Sequence, residues 1–190
     1  MSLIKRIEID TDAMDYQSWV FDSEILHRDF KLFISKMIDN GPSASEVPVV
    51  YLLDANFMFP MIEGMIRLLQ STGELPDLIL VGIGYESSTI ENIANRRIQE
   101  LTPTKDIHYK NIWRDIAKVV AEGGESSLLL KVIEEEIKPF VREQYSSSEQ
   151  SILVGDSLGG LFALYTLFSM PNVFSGYVIG SPAIFWDEGT

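Results

Sequence analysis

The chain contains no cysteine in its 190 residues, which excludes disulfides and thiolate metal sites. Histidine is nearly absent too: only His27 and His108 are present, so any chemistry that needs an imidazole base has two candidates. Cations are few, with 15 Lys and Arg against 28 Asp and Glu and a formal net charge of −13. Phosphate neutralisation needs clustered Lys and Arg, so this balance argues against a nucleic-acid partner. Acidity of this kind is expected simply to keep the chain in solution. No apolar run approaches the ~20 residues of a membrane span. Met1 to Arg6 leads into no apolar stretch of the signal-peptide kind. The expectation is therefore a cytoplasmic chain with no membrane partner, a periplasmic location remaining open.

What is present points to one folded domain spanning residues 1–190. Hydrophobic content is 46% and charged content 23%, ordinary for a globular protein and against disorder. Lys31 to Lys36 alternates apolar and polar side chains, as a half-exposed antiparallel strand does, and Asp39-Asn40-Gly41-Pro42-Ser43 carries turn chemistry. Val47 to Leu53 is an unbroken apolar run, the mark of a strand buried on both faces. From Pro60 to Gln70 the period changes to helical, with Ile62, Met65, Ile66 and Leu69 on one face. Leu78 to Ile83 reads as another buried strand.

A long excursion from Gly84 to Gly124 follows, about forty residues, too long for a structureless connection. Ser126 or Ser127 is placed to cap the next helix. Its apolar face is Leu129, Val132, Ile133, Ile137, Phe140 and Val141, with Pro139 expected to kink it. Ser151 to Val154 is a strand and Leu158 to Met170 a helix apolar nearly all round, hence buried. Tyr177-Val178-Ile179 is the last strand. Strands and helices alternating in this way predict an α/β fold with a mostly parallel sheet and helices on both faces.

The chemistry concentrates at Gly155-Asp156-Ser157-Leu158-Gly159-Gly160. A serine at a corner between a strand and a helix is the local pattern of a nucleophile elbow. The corner forces positive φ on Ser157, and glycines at 155 and 159 relieve the crowding two residues to either side. Gly160 lets the helix approach the sheet. The helix start aims N–H groups and a positive dipole end at the site, and the N–H of Leu158 is placed to hold the oxygen of a tetrahedral intermediate. Gly-x-Ser-x-Gly alone arises by chance in roughly one chain in twenty of this length, so its placement between strand and helix carries the weight. Glycine-rich turns of this type also bind phosphates, although Asp156-Ser157 interrupts a dinucleotide-binding pattern.

Several further segments fall in register with one family. These are Tyr51-Leu52-Leu53-Asp54-Ala55-Asn56, Val81-Gly82-Ile83-Gly84-Tyr85, Arg96-Arg97 followed by Glu100-Leu101-Thr102-Pro103, Gly123-Gly124 and Ser181-Pro182. With the elbow they resemble, from about residue 25 to residue 187, the esterase family of α/β-hydrolases that includes esterase D, the mycolyltransferases and the trilactone siderophore esterases. The chain is most similar to the siderophore-esterase branch. The resemblance implies an α/β-hydrolase fold, stopping after the strand that follows the nucleophile helix. It also implies a serine hydrolase of carboxylic esters that needs no cofactor and no metal, with a small ester such as a siderophore trilactone as substrate. Ser157 would be the nucleophile, and the backbone N–H groups of Leu158 and Asn56 the oxyanion hole. Ala55 stands where the family has glycine, and Asp156, where an aromatic residue or histidine is usual, is expected to point away from the oxyanion. Arg96 and Arg97 would overhang the site and attract an anionic substrate.

In that family an acid and a histidine follow the serine on later strands. Here the sequence stops at Thr190 with neither in place, since Asp187 has no histidine to orient. The expectation is an esterase impaired as it stands, the alternative being an inactive binding or interaction module that keeps the fold. The strand at Tyr177 to Ile179 would then form an apolar unpaired edge, which favours pairing with another chain and predicts a homodimer through that edge.

Overall fold

In the computed structural model, residues 5–7, 16–37, 47–87, 89–106, 118–145 and 147–189 are described. Seven strands form one sheet: β1 (Lys5–Ile7), β2 (Gln17–Ser23), β3 (Arg28–Met37), β4 (Val49–Leu52), β5 (Leu78–Tyr85), β6 (Ser151–Asp156) and β7 (Gly176–Gly180). Their order is β1-β2-β3-β5-β4-β6-β7. The first three strands and the β3–β5 pairing are antiparallel, whereas β5, β4, β6 and β7 run parallel. The alternating segment at Lys31 to Lys36 thus lies in an antiparallel strand, as expected. The Asp39 to Ser43 turn lies outside the described residues.

The parallel strands need helical crossovers. Helix α1 (Ala55–Ser71) links β4 to β5, and α2 (Ile90–Leu101) lies in the excursion. Helices α3 (Ser126–Lys131) and α4 (Lys138–Tyr145) flank a wider π turn at Val132–Ile137, and α5 (Leu158–Ser169) joins β6 to β7. On one face of the sheet, α1 sets Ala55, Phe59 and Ile66 against Phe33, Leu52, Leu78 and Leu80. On the other face, Tyr51, Ile79, Val81 and Leu153 meet Leu129, Val132, Ile133 and Phe162 from α3, the π turn and α5. All eight residues of β5 are buried, and its side chains divide between these two cores as the pleat requires. Gly82 falls on the α1 face, where a Cβ would come within 2.5 Å of the Phe59 ring and 2.7 Å of Ala55. That glycine sets how closely α1 approaches the sheet.

Three local expectations are corrected. Helix α1 starts at Ala55, not at Pro60, because Asp54 adopts a left-handed conformation (φ 55°) and its carbonyl accepts from Phe57 and Met58. Pro60 sits inside the helix. Neither Ser126 nor Ser127 caps α3: the cap position is Glu125, and the buried Ser126 hydroxyl has no partner among the described residues. Helix α5 buries only part of its circumference, and Phe168 is 79% exposed. The disturbance expected at Pro139 takes the form of the π turn immediately before it, in which the Lys138 N–H reaches back five residues to the Ile133 carbonyl. Widening there accommodates a ring that would otherwise collide with a carbonyl four residues earlier.

The excursion contains α2, and Trp186 locks it to the chain beyond β7. Trp186 is fully buried, and its indole N–H donates to the Thr104 carbonyl at 3.0 Å. Gly123 leaves space for that ring, since a Cβ there would lie 2.9 Å from it. Among the described residues no helix is long and apolar enough to cross a membrane.

Candidate active site

Strand β6 ends at Asp156 and α5 begins at Leu158, so Ser157 alone makes the corner. Its backbone has φ 56° and ψ −115°, a conformation costly for a residue with a side chain and typical of functional corners. Three hydrogen bonds hold it there. The Ser157 N–H donates to the Gly180 carbonyl at 3.1 Å, and its carbonyl accepts from Leu161 at 2.9 Å and Ala183 at 3.0 Å. The serine side chain is exposed at the carboxyl edge of the sheet.

The glycines around the corner divide the work differently from the sequence expectation. A Cβ on Gly155 would lie 2.2 Å from the Gly159 carbonyl oxygen, so the tight crossing belongs to Gly155. A Cβ on Gly160 would lie 2.5 Å from the Gly180 carbonyl and 3.0 Å from Pro182, which keeps α5 close to the end of β7. Gly159 is less crowded; its nearest neighbours are the Asp54 carboxylate and Leu53, both at 3.4 Å. Asp156 is exposed, and its carboxylate lies over Gly180, 2.7 Å from where a Cβ would stand.

Two helix starts meet at this edge, because β4 and β6 are neighbours and Leu53 donates to the Val154 carbonyl. Leu158 is the first residue of α5 and Asn56 the second of α1, positions whose N–H groups have no partner within their helices. The Asn56 side chain is engaged elsewhere: its amide donates to the Tyr85 carbonyl at 3.0 Å and accepts from the Tyr85 N–H at 2.7 Å. Gly84 admits it, since a Cβ there would come within 2.5 Å of the Asn56 oxygen. This clasp fixes the start of α1 against the end of β5.

An open cavity of about 270 Å3 lies beside the corner. Phe57, Met58, Ile62, Val154 and Val178 form its apolar wall, and Asp54, Arg97 and Asp156 its polar one. The two candidate arginines part company here. Arg97 reaches the cavity and grips both carboxylate oxygens of Asp54, with Nη2 to Oδ2 at 2.8 Å. Arg96 turns to the other side, its guanidinium 5.0 Å from the Phe30 ring and 5.1 Å from the Tyr85 ring, paired with the buried Glu100. It lines a separate cleft with Glu86, Ser87 and Asn92, so the overhang expected of it is not observed.

Glu100 also pairs with Arg28, which bonds Glu125 at 2.6 Å. Burial lifts the Glu100 carboxyl above its ordinary range against the opposing pull of Arg96 and Arg28. The i,i+4 spacing of Arg96 and Glu100 was a visible signal for this pair; nothing in the sequence marked Asp54 and Arg97 as partners.

His27 occupies the turn between β2 and β3. Strand β3 lies three strand spacings from β6, about 14 Å, well outside the ~3 Å reach a base needs. His108 lies outside the described residues. Asp187 follows Trp186, and its N–H donates to the Asp106 carboxylate at 2.9 Å.

Residues 23–189 match the family described as "Putative esterase". The chain belongs to this esterase family. Among curated members it is 34% identical over 168 residues to the ferri-bacillibactin esterase BesA of Bacillus subtilis, covering 85% of this chain and 56% of BesA. It is 30% identical to the siderophore triacetylfusarinine C esterase of Aspergillus fumigatus, covering 80% of this chain and 48% of the relative. The chain spans about half the length of these two esterases. Among solved structures, the BES protein from Bacillus cereus superposes with a TM-score of 0.79 at 26% identity, covering 97% of this chain and 68% of that one. The siderophore hydrolase EstA from Aspergillus nidulans gives 0.77 at 26% identity, covering 94% and 61%. The fold is accordingly the α/β-hydrolase fold of these esterases.

Proposed function

We propose that this chain carries the nucleophile-bearing part of a serine hydrolase of carboxylic esters. The observation that supports it best is the exposed Ser157 at a positive-φ corner, held between the start of α5 and the start of α1. In the reaction, the Ser157 oxygen bonds to the ester carbonyl carbon while a base takes its proton. The N–H groups of Leu158 and Asn56 hold the negative oxygen. The carbonyl carbon–alkoxy bond then breaks, the alcohol leaves, and water hydrolyses the acyl-serine. The substrate class is a siderophore trilactone or a similar small ester, by analogy with what the named relatives act on. The apolar wall of the cavity suits the hydrocarbon part of such a substrate.

Among the described residues no histidine stands within reach of Ser157. That observation also favours a second reading, an inactive binding module that retains the corner. A fluorophosphonate probe separates them. Covalent labelling that disappears in Ser157→Ala supports the hydrolase, and an unlabelled chain supports the binding module. We also infer that two copies associate through β7. Among the described residues only one of its edges is paired, the strand reads Gly-Tyr-Val-Ile-Gly without charge, and unpaired apolar edges invite antiparallel addition of the same strand.

A further inference from the structure

Asp54 occupies the N-cap of α1 yet does not cap it. An aspartate at this position ordinarily accepts from the second or third N–H of its helix. Here the third, that of Phe57, is satisfied by the Asp54 carbonyl at 3.0 Å, and the Asp54 side chain makes no cap bond. The amide left for a side-chain cap is that of Asn56, the candidate oxyanion donor. The Asp54 carboxylate is instead held by the two-pronged Arg97 guanidinium on α2, a geometry that fixes direction as well as charge. It is nearly buried, against the first turn of α5 at Gly159, so two positive helix ends face it. The carboxylate belongs to the residue two before Asn56, at the start of the same helix.

We propose that Arg97 is a positioning residue that keeps the Asp54 carboxylate off the Asn56 N–H, holding the oxyanion pocket open. This rests on Asn56 being an oxyanion donor, and it gives Arg97 a role other than gripping an anionic substrate. Without Arg97, Asp54 caps its own helix and fills the place meant for the developing oxyanion.

The test is the Asn56 backbone amide signal in 15N-labelled chain, compared among wild type, Arg97→Gln, Arg97→Lys and Arg97→Gln with Asp54→Gly. Glycine tolerates the left-handed conformation at 54. In Arg97→Gln the Asn56 proton moves downfield and exchanges more slowly with solvent. Arg97→Lys, which holds a single oxygen, lies between wild type and Arg97→Gln. The double variant returns to wild type. Labelling of Ser157 by a fluorophosphonate slows about 100-fold in Arg97→Gln, as for a lost oxyanion donor, and recovers in the double variant. An Asn56 signal in Arg97→Gln unchanged from wild type overturns the proposal. So does a downfield shift that survives in the double variant, which would trace it to Asp156, the other carboxylate on the cavity. If no form is labelled, the hydrolase assignment fails, while the amide signal still decides the role of Arg97.

Discussion

Glu100 has no exposed surface and sits between Arg96 and Arg28. Desolvation dominates, so its folded-state pKa is raised from 4.5 although both arginines pull it down. Between the unfolded and folded values the native state holds the extra proton. Stability therefore falls as pH rises through the window that opens at 4.5, and the penalty is fully present above it. Urea unfolding at stepped pH checks this: the decline is expected in wild type and absent in Glu100→Gln. An equal decline in both would show that other groups cause it. At the corner itself, Gly155→Ala puts a methyl 2.2 Å from a backbone oxygen, an overlap worth about 1–3 kcal/mol or more of stability. Gly176→Ala meets only an ordinary contact at 3.6 Å with Ile152 and is expected to stay within about 0.5 kcal/mol of wild type. Thermal or urea denaturation of the two variants side by side gives the comparison. The serine and its glycines were legible because a strained corner restricts residue type, whereas the Asp54–Arg97 pair spans 43 positions and leaves no periodic trace.

Among elements, the buried strands were the most readable, since β4, β5 and β6 lie inside the sheet and are apolar almost without interruption. Helix starts were the least readable. Proline at 60 looked like the first turn of α1, but the left-handed Asp54 begins that helix five residues earlier, and this is what brings the Asn56 amide to the corner. Similarly, Ser126 had the composition of a cap while the Thr102 carbonyl takes its N–H at 3.2 Å, a tertiary contact that no local pattern announces. The apolar stripe from Leu129 to Val141 stays largely buried across Pro139 because the π turn resets the phase of the helix.

At the scale of the whole molecule, the alternation of strands and helices implied the parallel half of the sheet. The order β3-β5-β4 was not legible, since pairing partners depend on crossovers rather than on neighbours in sequence. The β7 side is open in three ways. Among the described residues one edge of the strand is unpaired, Val178 is 56% exposed, and Phe168, Ile184 and Phe185, in the segments just before and after the strand, are exposed too. A dimer through this side predicts that Val178→Lys lowers the light-scattering mass from two chains to one. A wild-type chain already monodisperse as a monomer would contradict it. A crystal structure of the chain after treatment with a fluorophosphonate decides whether the corner beside β7 is a nucleophilic site. Phosphorus is expected bonded to the Ser157 oxygen, with its phosphoryl oxygen about 3 Å from the N–H groups of both Leu158 and Asn56. An unmodified Ser157, or an adduct whose phosphoryl oxygen faces neither amide, would rule out a nucleophilic serine with this oxyanion pocket.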